Sequence, residues 1–399
     1  MLRMADRVAH FSTTIFSEMT SLANQHQAIN LGQGSPDFAA PDFLKEAARA
    51  AIAADVNQYA PPWGRPRLRR AIAGKMARHY ALSLDPDREV QVTHGATEAI
   101  FAGILGLINP GDEVILFEPT YDSYVPAVQL AGGVPRYYTL RPPAWTIEPE
   151  TLAALFSPRT RLLVLNTPHN PTGKVFTLAE LEMIATLCQE YNVLVLADEV
   201  YEYILFDGLA HTPVATLPGM FDRTVTVSSL GKTFSVTGWK VGWAVGPADL
   251  LQAMFRMRQF MTFCGAAPLQ EAAAVALEMA DGMGYYTELA RQYQQKRDFL
   301  RAALAEVGLR PITPQGTYFV MARIDGLGFG DDVGFCRHLT TQTGVAAIPP
   351  SAFYHRPGDG AHLARFAFCK ADETLRQAAA RLRHFAPDGK VTSSILHGE

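Results

Sequence analysis

Cysteine is scarce in this chain of 399 residues: Cys188, Cys264, Cys336 and Cys369 stand far apart, with no C-x-x-C pair and no ligand spacing. That argues against a disulfide frame or a zinc site and predicts reduced thiols in core or pocket positions. Charge of one sign is scarce too. A net charge of -4 gives no reason to expect nucleic acid or an anionic membrane as partner. No apolar run approaches a membrane span, and the start, Met1-Leu2-Arg3-Met4-Ala5-Asp6, lacks the apolar core of a signal peptide. The cytoplasm is the expected compartment. Internal repeats and low-complexity linkers are missing as well. What remains is an ordinary globular composition, 48% hydrophobic and 19% charged, long enough for two or three closely packed domains.

The texture of the chain changes along its length. Residues 1 to about 30 read as an arm with little periodicity, and Gly32-Gln33-Gly34-Ser35-Pro36 as a loop whose backbone N–H groups could meet a carboxylate. Helical spacing runs from Pro41 to Ala54, and a basic amphipathic helix from about Pro66 to Tyr80. From Glu89 onward the pattern is strand, loop, helix, repeated. Val90-Gln91-Val92-Thr93 precedes His94-Gly95-Ala96-Thr97-Glu98, where a helix start could offer N–H groups and a hydroxyl to a phosphate. Val114 to Phe117, Arg161 to Leu165 and Val193 to Ala197 are continuous apolar strands between helices. Such runs predict a mostly parallel sheet covered on both faces, with ligands beyond the carboxyl ends of its strands. After about residue 285 the alternation loosens. A polar helix (286–307), strands near 317–321 and 362–368 and a last helix (373–384) predict a second, smaller unit completed by the arm, and the tail beyond Pro387 is expected to fray.

One stretch carries the chemistry. Thr224-Val225-Thr226-Val227 reads as a buried strand, and Ser228-Ser229-Leu230-Gly231-Lys232-Thr233 follows it, with a second lysine at Lys240. Lysine is the usual Schiff-base former, and it needs a desolvated, electropositive pocket to lose its proton. The hydroxyls of Ser228, Ser229 and Ser235 could hold an anion beside the amine. Gly231-Lys232-Thr233 also looks like the end of a nucleotide P-loop, but that motif needs a glycine where Thr226 stands. Asp198, closing an apolar strand, could bind magnesium only with that missing cradle; the alternative is an aspartate holding a cationic ring nitrogen, with Tyr201 reaching the same ring. Arg365 is the one charge in a strand of Phe and Ala, and its planar guanidinium suits bidentate capture of a carboxylate.

Taken together, Asn166-Thr167-Pro168-His169-Asn170-Pro171-Thr172-Gly173, Ala197-Asp198-Glu199-Val200-Tyr201 and Ser229-Leu230-Gly231-Lys232 resemble the fold-type-I, pyridoxal-phosphate-dependent aminotransferases of class I. The likeness runs from about Asn30 to His384 and is strongest to bacterial methionine aminotransferases and the kynurenine/glutamine aminotransferase branch. It implies an α/β fold: a large domain, residues 46–284, with a mostly parallel seven-stranded sheet between helices, and a smaller α+β domain from residues 1–45 and 285–399. It implies a cytoplasmic homodimer whose active sites are shared between subunits.

Residue by residue, the resemblance implies Lys232 as the Schiff-base lysine and proton shuttle, and Asp198 as partner of the protonated pyridine nitrogen. Tyr201 and Asn170 would bond the ring's phenolic oxygen, and Tyr121 would stack on the ring. Ala96, Thr97, Ser229 and Lys240 would hold the phosphate, with Tyr59 reaching over from a second subunit. Many relatives have arginine where this chain has Lys240. Arg365, Asn170 and the Gly34 backbone would fix the substrate α-carboxylate. Dicarboxylate-specific relatives use a further arginine, and Gln259 to Ala267 contains none. Phe16, Tyr121 and Phe263 are therefore candidate walls of an apolar or aromatic pocket, with methionine, glutamine or aromatic amino acids as donors to a 2-oxo acid. No metal is implied. The alternative activity is a pyridoxal-phosphate C–S β-lyase acting on cysteine conjugates. A ligand-sensing half of a transcription regulator would need a basic DNA-binding unit ahead of Asn30, and a decayed scaffold would not keep every expected catalytic position.

Overall fold

Apolar, β-branched segments alternate with amphipathic helices through the middle of the chain, and they assemble as that alternation requires. The computed structural model describes residues 4–9, 11 and 13–385; the tail beyond Pro387 lies outside them. A short strand, β1 (Ile29–Asn30), follows the helix Ile15–Gln25. Seven strands then form one sheet: β2 (Val90–His94), β3 (Glu113–Glu118), β4 (Val134–Thr139), β5 (Thr160–Asn166), β6 (Leu194–Asp198), β7 (Thr224–Ser229) and β8 (Val241–Val245). Their order is β2-β8-β7-β6-β5-β3-β4. The run from β7 to β4 is parallel, and β8 lies antiparallel between β7 and β2. This is the α/β architecture the sequence predicts.

Each face of the sheet has its own core. On one side Val164, Leu196 and Val227 pack against Ile100 and Ile104 of the helix Gly95–Leu107 and Met254 of the helix Ala248–Arg258. On the other, Leu163 and Val195 meet Leu181 and Ile184 of the helix Leu178–Glu190. Each fully buried side chain of this kind contributes about 1.5–3 kcal/mol. Gly103 shows how tight the packing is: a Cβ there would lie 2.5 Å from Leu196 Cδ1. The helix at residues 95–107 is thereby pressed onto the sheet, and its first turn stands over the strand ends.

A second, antiparallel sheet follows, built from β9 (Arg310–Ile312), β10 (Phe319–Arg323) and, after the short β11 (Val345–Ala346), β12 (Leu363–Ala367), in the order β12-β10-β9. β1 pairs in parallel with β11, and Met19 and Leu31 share a core with Leu300, Phe335, Phe366 and Leu375.

The structure corrects one expectation of local order. The first thirty residues are not an aperiodic arm: Thr14 caps a helix over Ile15–Gln25 by accepting from Ser17 N, and Met19 and Ala23, four apart, are its buried contacts. Two apolar positions on a polar segment give a weak period, and the C-terminal core supplies what propensity does not. β4 escapes sequence reading for another reason. It is an edge strand in which Tyr138 alone is buried and the rest are exposed or half-buried, so it has no continuous apolar run. Among the described residues no helix is long and apolar enough to cross a membrane.

Candidate active site

The parallel strands β5 and β6 end at Asn166 and Asp198, and β7 ends at Ser229 beside them. Past these ends lies a cavity of about 400 Å³, within the range of small-molecule sites. Of the residues singled out above, Phe16, Gly34, Ala96, Thr97, Tyr121, Asn170, Asp198, Tyr201, Ser229, Lys232, Lys240 and Arg365 all line it. Segments as distant as 16 and 365 meet there because the N-terminal helix and β12 pack into one core.

Lys232 sits on a one-turn helix, Leu230–Thr233, directly after β7. It is half-buried, its open side facing the cavity. Burial lowers its pKa, with Asp198 pulling the other way and the charges of Lys240 and Arg365 adding to the fall. Its Nζ lies 5.7 Å from the ring centre of Tyr201 and 5.6 Å from that of Tyr318. A lysine so placed is readied to act as a neutral amine.

Asp198 is buried, and burial raises its pKa to about 6 against the hydrogen bonds it accepts from Tyr124 and the Val200 backbone. Tyr124 donates to Oδ2 at 2.6 Å, and Val200 N to Oδ1 at 3.3 Å. A buried carboxylate in this state is stabilised by a cation brought against it. Asn166 ties the strand ends together: its Nδ2 donates to Asp198 O at 2.8 Å, and its Oδ1 accepts from Asn170 N at 2.6 Å.

Arg365 lies on β12, 1% exposed, with its guanidinium carbon 4.1 Å from the ring centre of Phe319 and 5.0 Å from that of Phe16. Nη2 donates to Gly32 O at 2.8 Å and Nη1 to Asn170 Oδ1 at 3.3 Å. Nε has no hydrogen-bond partner among the described residues. Both bonds go to neutral acceptors, so a buried cation is left to be matched by an anion. Gly34 is held at this rim by Tyr318, whose hydroxyl donates to Gly34 O at 2.7 Å. A Cβ on Gly34 would stand 2.6 Å from Phe319 Cζ, so only glycine fits.

The opposite end of the cavity is shaped for an oxyanion. The helix Gly95–Leu107 points its first turn there, with unpaired N–H groups and the positive end of its dipole. Lys240, itself in the left-handed region at φ 53°, reaches Thr97 Oγ1 at 3.5 Å. A Cβ on Gly242 would come 2.5 Å from the Gly95 carbonyl carbon, so glycine there lets β8 and the helix start approach.

Some expected residues fall elsewhere. Ser228 turns to the other face of β7 and donates to Glu202 at 2.7 Å, because neighbours in a strand face opposite ways. Ser235 does not line the cavity. Tyr59 and Phe263 lie on the surface, 84% and 45% exposed, with ring centres 5.6 Å apart. Neither lines the cavity of this chain. Sequence reasoning missed Tyr124, Asn166, Tyr318 and Asp122. Tyr124 stands one helical turn after Tyr121, and that spacing was the available signal.

The donor set fits an aromatic aldehyde carrying a phosphate: a lysine whose pKa burial lowers, a buried carboxylate, a helix start with Lys240 beside it, and a buried arginine. The class I and II aminotransferase family model matches residues 26–382. The chain is 44% identical to methionine aminotransferase of Escherichia coli over 94% of its length and 97% of that protein. It is 40% identical to a kynurenine–oxoglutarate transaminase of Dictyostelium discoideum, over 93% and 94%. The solved N-succinyldiaminopimelate aminotransferase of Mycobacterium tuberculosis superposes with TM-score 0.92 at 44% identity, covering 95% of this chain and 99% of that one.

Proposed function

This chain belongs to the class I and II aminotransferases, enzymes that depend on pyridoxal phosphate, and on that premise we propose that it moves the amino group of methionine, glutamine or an aromatic amino acid to a 2-oxo acid. The observation that carries the reading is the pairing in one cavity of a desolvated lysine, Lys232, with a buried arginine, Arg365, whose hydrogen-bond partners among the described residues are neutral. Phe16 and Tyr121 give the same cavity apolar walls. The relatives named above are transaminases, and the C–S lyase alternative is not favoured.

Pyridoxal phosphate, when bound, supplies an electron sink that makes the substrate Cα–H acidic. Ala96, Thr97, Ser229 and Lys240 would hold its phosphate, Asp198 its ring nitrogen, Tyr201 and Asn170 its phenolic oxygen, Tyr121 its face and Lys232 its aldehyde carbon. Arg365 and Asn170, with the backbone at Gly34, orient the amino acid by its α-carboxylate. Lys232 Nζ, its pKa lowered by burial, would take the proton from Cα and return it to the cofactor's aldehyde carbon, on the far side of the amino nitrogen. A positioned amine of this kind contributes about 10²–10⁴-fold.

The same reading makes the enzyme a homodimer. Tyr59 and Phe263 form an exposed aromatic patch with Phe260, 85% exposed, and Met261. Tyr59 would reach the partner's phosphate site from there. It also keeps residues 46–284 as the large domain, with 1–45 and 285–399 as the small one, in line with the shared core of Met19, Leu31 and Leu375. Four free cysteines accord with the cytoplasm.

A donor panel tests the proposal. Methionine, glutamine, phenylalanine and kynurenine should aminate the 2-oxo acid faster than aspartate does, with N-succinyldiaminopimelate in the same panel. Tight preference for aspartate would overturn it.

A further inference from the structure

Asp122 is the one charged residue of the cavity wall that the reading above leaves without a task. It sits on the turn between β3 and the helix Tyr124–Leu130, beside Tyr121, and is half-buried. Burial raises its pKa, and the charge of Arg365, which lines the same cavity, opposes that rise. The other charges of the wall are assigned: Lys232 to the aldehyde, Lys240 to the phosphate, Asp198 to the ring nitrogen and Arg365 to the α-carboxylate. Among the residues lining the cavity no cation is left for a second carboxylate.

We propose that Asp122 is a specificity-determining residue that turns the site against amino acids ending in a second carboxylate and toward those with neutral side chains. The proposal rests on the aminotransferase reading and supplies its substrate class. With the α-carboxylate anchored at Arg365, the side chain extends along walls made by Phe16, Tyr121 and Asp122. Like charges in a cavity partly shielded from water repel far more than in bulk. A thioether or aromatic ring meets no such penalty, and an amide N–H can donate to the Asp122 carboxylate.

The test uses the pyridoxal-phosphate-loaded enzyme and its Asp122→Asn variant, which keeps the shape and removes the charge. Calorimetry gives the affinity for two inert acids, glutarate and 3-phenylpropionate, and stopped-flow absorbance gives kcat/KM for the glutamate and methionine half-reactions. Loss of the charge should improve glutarate relative to 3-phenylpropionate, and glutamate relative to methionine, by about tenfold or more. Ratios within twofold of the wild type in both measurements would overturn the proposal. Should Asp122→Asn fail to hold cofactor, Asp122→Ser carries the same comparison. A wild-type enzyme that transaminates none of the neutral donors would sink the proposed function instead, while the inert-acid ratio would still decide the role of Asp122.

Discussion

Two groups of buried charge lie on opposite faces of the strand ends around Asp198 and Ser229, and the chain treats them differently. On the face away from the cavity, Lys75 and Glu202, 1% and 4% exposed, meet at 2.5 Å. Tyr80 and Ser228 donate to the same carboxylate at 2.6 and 2.7 Å, and the ammonium lies 5.3 Å from the ring centre of Tyr203. Burial works against the charge on Glu202, yet Lys75 and its other neighbours hold its pKa below the ordinary carboxylate value. On the cavity face, Arg365 bonds only neutral oxygens, and Lys232 forms no ion pair among the described residues. Buried charge costs free energy unless it is matched. Where the chain matches it internally the cluster is part of the fold; where it does not, the match belongs to a ligand.

Substitutions at the two groups should therefore separate stability from activity. Arg365→Leu removes the anchor of the α-carboxylate, and kcat/KM for amino acids should fall roughly 30- to 5,000-fold, from about 2–5 kcal/mol of lost pairing. Its melting temperature should hold or rise, since a desolvated cation is gone. A fall in melting temperature with kcat/KM intact would reverse the comparison.

Lys75→Met does the opposite. It strands the Glu202 carboxylate, and urea unfolding should report about 3–5 kcal/mol less stability, with kcat/KM of the folded fraction changed far less than in Arg365→Leu. Adding Glu202→Gln to it should restore at least half of the loss. If the double variant is no more stable than Lys75→Met, Lys75 and Glu202 do not act as a matched pair.

Asp198 sharpens the contrast through pH. Its pKa in the fold is raised from 3.8 to about 6. A raised acid favours the fold at low pH, and that contribution is lost as pH climbs through the folded value. Protein stripped of pyridoxal phosphate should thus lose roughly 3 kcal/mol of stability between about pH 4 and pH 6, and Asp198→Asn should remove this slope. With cofactor bound the order should invert, the wild type now being the more stable. Parallel pH profiles for the two stripped proteins would contradict the assignment.

Much of this was legible in the sequence, for reasons that differ by residue. The strands ending at Asn166 and Asp198 are continuous apolar runs, and their signal survives because both faces are buried. Lys232, Asp198 and Arg365 stood out as charges set against apolar or small neighbours. The helix Ile15–Gln25 did not, since its order comes from the C-terminal core it packs on. Ser228 and Ser229 could not be told apart by type. Only the strand's alternation decides that Ser229 meets the cavity and Ser228 meets Glu202. Tyr124 and Asn166 act through hydrogen bonds to Asp198 and to the backbone, contacts that no spacing rule specifies.

Which amine carries the cofactor can be read most directly by borohydride reduction of the yellow holoenzyme, followed by proteolysis and mass mapping. The expected result is a single phosphopyridoxyl group on Lys232 Nζ, with loss of the visible absorbance. A label on Lys240 or another lysine, or a protein that takes up no cofactor, would contradict the account.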